Sequence, residues 1–238
     1  MNRLELPLAP MSVPTHTVDW AHKVDWETPE SNPPLRVVGV RHREFTTGND
    51  VTFLPVHYES GYAYPLVVWL HGAEQSPRCL AEVMAHVSTR NYVAIAPASS
   101  GKEQATTSPW HQSPSAIADS EQRIADAVKH AQQRFSVHPN RVFLVGFGTG
   151  GTMALRVAMQ SPRLFAGVAS VGGPLPTGYC PFRRVNEIRN LPFLLSAARR
   201  SSQFTDQEVC SNLRLLHSAG AMVSLRQYPG VDELTTQM

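Results

Sequence analysis

The stretch RVFLVGFGTGGTMALRVAM, from Arg141 to Met159, constrains the fold more than any other part of the chain. Residues 142–145 form an apolar run too short for a helix and rich in β-branched side chains, which predicts a buried strand. Gly146, Gly148, Gly150 and Gly151 follow. Apolar residues then recur at helical spacing over 152–160 until Ser161-Pro162 stops them, predicting a helix. A strand entering a helix through a tight glycine turn aims the turn residue and the first unpaired helix N–H groups above the sheet.

Two motifs use that geometry. Gly146, Gly148 and Gly151 spell G-x-G-x-x-G, the dinucleotide-binding fingerprint. That reading needs an acidic residue about 20 positions on for the ribose. None occurs before Glu187, and much of the fold precedes the turn instead of following it. A dinucleotide-binding oxidoreductase is therefore a distant third reading. The other motif is the nucleophile elbow, G-x-S-x-G. Gly146, Phe147, Thr149 and Gly150 fit it, with Gly148 at the serine position.

The longer stretch RVFLVGFGTGGTMALRVAMQSPRLFAGVASVGG resembles the core of one branch of the α/β-hydrolase superfamily. That branch is the esterase and polyhydroxybutyrate-depolymerase-like (phospholipase/carboxylesterase-like) one. In it a strand, the elbow, a helix, a P..FAG segment and a strand ending in a small-residue turn follow in this order. The resemblance spans residues 36–238. It implies an α/β fold: a mostly parallel sheet with helices on both faces and an antiparallel N-terminal hairpin.

The rest of the chain reads consistently with this. Residues 1–34 carry six prolines and little periodicity, predicting an irregular arm ahead of one domain over 35–238. Strands are predicted over 35–45, 51–57, Tyr64–Leu70, 92–96, Gly167–Val171, 192–196 and 222–227, and helices over 77–89 and 115–135. The segments 97–114 and 172–190 read as loops. Thr205-x-x-Glu208 is a capping box that opens another helix, and Gly220 stops it.

A formal charge of +2 gives no reason to expect a nucleic-acid partner. Cys79, Cys180 and Cys210 make neither a disulfide framework nor a metal motif, and no cofactor or metal site is expected. No stretch approaches the roughly 20 apolar residues of a membrane span, and no secretory segment opens the chain. The expected location is cytoplasmic.

The resemblance assigns roles by position. Acyl transfer on this fold uses a nucleophile, an acid and a histidine in that chain order. These positions hold Gly148, Arg200 and Asp232. Glycine keeps the turn, relaxes its strain and removes the attacking group. Two readings of Arg200 and Asp232 stand side by side: an ion pair replacing the acid–histidine bond, or two unrelated loop charges. The oxyanion hole is implied at the Thr149 N–H and, after Leu70-His71-Gly72, at Ala73, with Trp110 and His111 beside the pocket. His130, His138 and His217 fall on helices or turns away from it. Arg183-Arg184 and Arg199-Arg200 follow strands on the ligand side, where they can line an anion-binding cleft or face solvent.

The leading expectation is an esterase-like protein without serine-hydrolase activity, a pseudoenzyme whose pocket still takes a small carboxylate or ester. The alternative is an active carboxylic-ester hydrolase in which Thr149 or a water attacks. Relatives of this type continue into a final helix, whereas this chain ends at Met238 in what reads as that helix's first turn. A protein partner or self-association is expected at that short C-terminus.

Overall fold

In the computed structural model, residues 43–99, 110–178 and 182–233 are described. The predicted arm over 1–34, most of the strand over 35–45, part of the loop over 97–114 and the C-terminal residues 234–238 lie outside them. So do Cys180 and the expected partner surface.

Eight strands form one sheet: β1 (Arg43–Thr47), β2 (Asp50–Leu54), β3 (Tyr64–Leu70), β4 (Val93–Ala96), β5 (Val137–Phe147), β6 (Gly167–Val171), β7 (Pro192–Ala198) and β8 (Met222–Tyr228). Their order is β1-β2-β4-β3-β5-β6-β7-β8. β1 and β2 make the predicted hairpin, β2 meets β4 antiparallel, and the remaining pairs are parallel. Chain order reverses at β3, which has β4 on one side and β5 on the other. In open sheets of this kind the crevice for ligands opens beyond the strand ends at that reversal.

Side-chain alternation on the central strands builds two cores. Leu66, Val68 and Leu70 face α2 (Pro114–Arg134), α3 (Thr149–Gln160) and α5 (Asp206–Ser218), where they pack with Ile124, Val128, Met153 and Leu216. Val67 and Trp69 face the opposite way and join Leu80, Val83 and Met84 of α1 (Leu80–Val87). Burial on both faces explains why β3 reads as an unbroken apolar run.

Local signals act where they stand. Ser113 caps α2, accepting the Ala116 N–H at 3.4 Å, with Pro114 at the first helical position, where its missing N–H costs nothing. Both bonds of the Thr205–Glu208 capping box form, and Gly220 takes a left-handed φ of 74°. No helix among the described residues is long and apolar enough to cross a membrane.

The structure also differs from the sequence-based elements. β5 starts at Val137, five residues early, because Val137 pairs with Tyr64 before an irregular exposed stretch at Pro139–Arg141, and regular pairing resumes at Val142. α3 starts at Thr149, so Gly150 and Gly151 belong to its first turn. The predicted helix over 77–89 divides into a 3-10 turn at Pro77–Cys79 and α1. The loop over 172–190 contains a one-turn helix, α4 (Val185–Ile188).

Candidate functional site

The turn between β5 and α3 is built by close backbone approach. A methyl group on Gly146 would lie 2.3 Å from the Gly150 carbonyl oxygen, and one on Gly150 would lie 2.3 Å from that of Leu70. One on Gly151 would meet the Ser170 hydroxyl at 2.4 Å, and one on Gly173 the Gly148 carbonyl at 2.4 Å. These four glycines let the first turn of α3 wedge between the ends of β3 and β6. Gly148 differs in kind. Its backbone has φ 52° and ψ −119°, a region L side chains rarely occupy, yet a methyl group there would touch nothing within 4 Å. The apex of the turn is therefore strained for any other residue but spatially open. Its N–H donates to the Val171 carbonyl at 2.8 Å, and its carbonyl accepts the Thr152 N–H at 3.1 Å.

Beside this turn, the segment after β3 is pinned from several sides. His71 is 1% exposed, and its Nδ1 lies 2.9 Å from the Gly72 carbonyl. A carbonyl can only accept, so that nitrogen carries the hydrogen. Burial pushes the imidazole below its ordinary pKa of 6.5, with the Gly72 bond opposing more weakly, which keeps the ring neutral near pH 7. The Gln75 side chain accepts the Gly72 N–H at 3.1 Å. Trp110, 2% exposed, donates its indole N–H to the His71 carbonyl at 2.9 Å and holds the loop from behind. Ala73, Thr149 and His111 are exposed. Thr149 opens α3, where N–H groups have no acceptor within the helix.

The turns after β7 and β8 complete the ligand side. Their backbones are stitched by the Arg199 N–H to the Tyr228 carbonyl (2.8 Å) and the Arg200 N–H to the Gly230 carbonyl (3.0 Å). Asp232 Oδ2 accepts from the Ser201 hydroxyl at 2.8 Å and the Ser202 N–H at 3.2 Å. Its Oδ1 is enclosed without a hydrogen-bond partner among the described residues, 3.6 Å from where a Cβ on Gly172 would stand. Gly172 follows Val171, the acceptor of the Gly148 N–H, so Asp232 reaches the neighbourhood of the open apex.

The Arg200–Asp232 ion pair weighed from the sequence does not form. The ion pairs among the described residues join Arg163 and Arg184 to Glu187, at 3.2 and 3.7 Å. Arg200 is exposed, and the neighbouring Ser201 supplies the link, because a short hydroxyl reaches the carboxylate without desolvating a second charge. Arg183, Arg184 and Arg199 are exposed as well, and Arg184 spends its guanidinium on its own helical turn. The G-x-G-x-x-G reading lacks its setting, since five strands precede the turn and no acidic residue follows it before Glu187.

Among the described residues, the histidines do not supply a base for a hydroxyl. His217 is exposed on α5, His138 accepts the Asn140 N–H at 3.2 Å, and His130 Nε2 is buried without a partner. Among the described residues no hydroxyl is hydrogen-bonded to an imidazole, and no three His, Cys, Asp or Glu side chains gather at metal-ligand spacing.

Two residues around the site went unnoticed in the sequence. Ser201 gave no signal, since a serine in a turn is ordinary. Arg156 did: a cation inside TMALRVAM interrupts an apolar face, and it is 1% exposed. Its Nε donates to Gln112 Oε1 at 2.7 Å, and its other two nitrogens to the carbonyls of Thr177 (2.7 Å) and Gly178 (3.4 Å).

Known proteins share this fold. The family described as "Putative esterase" matches residues 47–218. "Putative esterase NocK" from Nocardia uniformis subsp. tsuyamanensis is 32% identical over 186 residues, covering 72% of this chain and 52% of that protein, so the chain spans about half of that relative's length. A carboxylesterase from Mesorhizobium loti superposes with a TM-score of 0.64 at 16% identity, over 82% of this chain and 92% of that one. A ferulic acid esterase from Anaeromyces mucronatus does so with a TM-score of 0.61 at 15% identity, over 83% and 86%.

Proposed function

The chain belongs to the esterase family on the α/β-hydrolase fold, and from that premise we propose that its cleft binds a small ester or carboxylate without serine-hydrolase turnover. One observation carries the reading. Gly148 holds the strained φ of 52° and ψ of −119° expected of an elbow nucleophile, with open space where the side chain would project and no atom there to attack. Acylation needs a nucleophile and a base to take its proton. Asp232, in the position implied for the base, is a carboxylate already engaged by Ser201 and Ser202. It lacks the second titrating nitrogen with which histidine relays a proton.

Binding can outlast the chemistry because its donors are backbone groups. In this reading the Thr149 and Ala73 N–H groups receive the carbonyl or carboxylate oxygen, and the missing Ser Oγ leaves its volume to the ligand. The test is hydrolysis of a short-chain p-nitrophenyl ester by the parent, Gly148→Ser and the pair Gly148→Ser with Asp232→His, with denatured parent as the control. Butyrate is titrated against the parent's thermal midpoint. We expect parent turnover at the control level and a midpoint that rises with butyrate. Parent turnover well above the control overturns the reading in favour of a hydrolase that uses Thr149 or a water.

A further inference from the structure

Arg156 takes no part in the reading above, yet it is the most deeply buried charge near the cleft. Ordering a guanidinium inside an apolar helix face is costly unless each donor finds an acceptor. The acceptors it finds are informative. Gln112 lies on the loop that enters α2, and Thr177 and Gly178 lie on the loop that leaves β6. The first loop also holds the segment after β3, and the second touches the glycine turn and the start of α3. Trp110, two residues before Gln112, holds the His71 carbonyl, and Gln112 Nε2 donates back to the Trp110 carbonyl at 3.4 Å. Pro174 accepts the Thr152 hydroxyl at 2.9 Å, while Gly173 packs on the Gly148 carbonyl. One planar fork on α3 thus holds two loops at the carboxyl ends of the strands, the walls of the crevice proposed above, and α3 itself begins next to Gly148.

We propose that Arg156 is a positioning residue that couples these two walls, so that the 110–113 and 174–178 segments open and close as one unit. The fork geometry matters because it bonds both segments at once, which a lysine's single ammonium cannot reproduce. A ligand that engages either wall then orders the other. The coupling is independent of whether the cleft hydrolyses or only binds, since it is a property of the unliganded chain.

Hydrogen exchange of the full chain by mass spectrometry tests it. Gln112→Leu removes the side-chain acceptor on one wall only. We expect peptides covering 174–178, which that substitution does not touch, to exchange at least threefold faster along with those covering 110–113, while β3 and β5 stay protected. In an Arg156→Lys background, Gln112→Leu should speed 110–113 alone. Acceleration confined to 110–113 in the parent background, or equal effects in both backgrounds, overturns the coupling. If Arg156→Lys does not fold, Gln112→Glu gives the second arm. A carboxylate facing the guanidinium should slow exchange at both walls, and slowing at 110–113 alone is the contrary result.

Discussion

The Ser201 hydroxyl donates to Asp232 Oδ2 at 2.8 Å and thereby joins the turn after β7 to the turn after β8. The same oxygen accepts the N–H groups of Phe204 at 2.7 Å and Gln203 at 3.2 Å. With its hydrogen and lone pairs committed, Ser201 is a brace and not a nucleophile. Where the resemblance implies an acid–histidine pair, a serine–aspartate pair closes the two strand ends.

That brace sets the first expectation. Ser201→Ala should lower unfolding free energy by about 1–3 kcal/mol, the cost of leaving a partly buried carboxylate oxygen and two N–H groups short of partners. Urea denaturation measures it. A loss below about 0.5 kcal/mol would mean that water replaces the hydroxyl freely.

Gly148 and Gly150 should respond differently to alanine. At Gly148 the added methyl has room, so the cost is backbone strain alone, on the order of 1–3 kcal/mol. At Gly150 it would meet the Leu70 and His71 carbonyls at 2.3 and 2.4 Å, and the end of β3 must shift. Gly148→Ala should yield folded protein with a lower urea midpoint, and Gly150→Ala little or no soluble protein. Equal behaviour of the two would remove the distinction between a strained apex and a packed wedge.

His71 predicts the acid side of the stability curve. Burial depresses its folded pKa below the ordinary 6.5, so the unfolded chain binds the proton more readily. Its contribution is fully present above pH 6.5 and is lost as pH falls through the depressed value. His71→Asn, which keeps an N–H donor for the Gly72 carbonyl, should flatten the stability–pH slope just below pH 6.5. An unchanged slope in denaturation series run at several pH values would place the responsible group elsewhere.

Asp50 predicts the opposite sign. Burial raises its carboxyl above the ordinary 3.8, outweighing the Ala98 N–H bond and the charges of Arg123 and His130. A raised carboxyl gives stability that is complete below pH 3.8 and lost as pH rises through the folded value, so the buried charge is a burden at neutral pH. Asp50→Asn keeps an oxygen for the Ala98 N–H, now at 3.0 Å from Oδ1. It should raise the thermal midpoint at pH 7, by a margin that shrinks on acidification. A lower midpoint at pH 7 would show that the attraction to Arg123 outweighs burial.

What the sequence alone determined is local: the strand–glycine–helix turn at 142–160, the Thr205–Glu208 cap, the Gly220 stop and the apolar run of β3. Each follows from backbone geometry and side-chain period within a few residues, so neighbours suffice to specify it. The tertiary structure decided the partnerships: Trp110 with His71 across 39 residues, Gln112 with Arg156 across 44, and Ser201 in place of Arg200 opposite Asp232 across 31. Those depend on how loops return over the sheet. A shift of one residue in a turn changes which side chain arrives, and only the packed chain selects it.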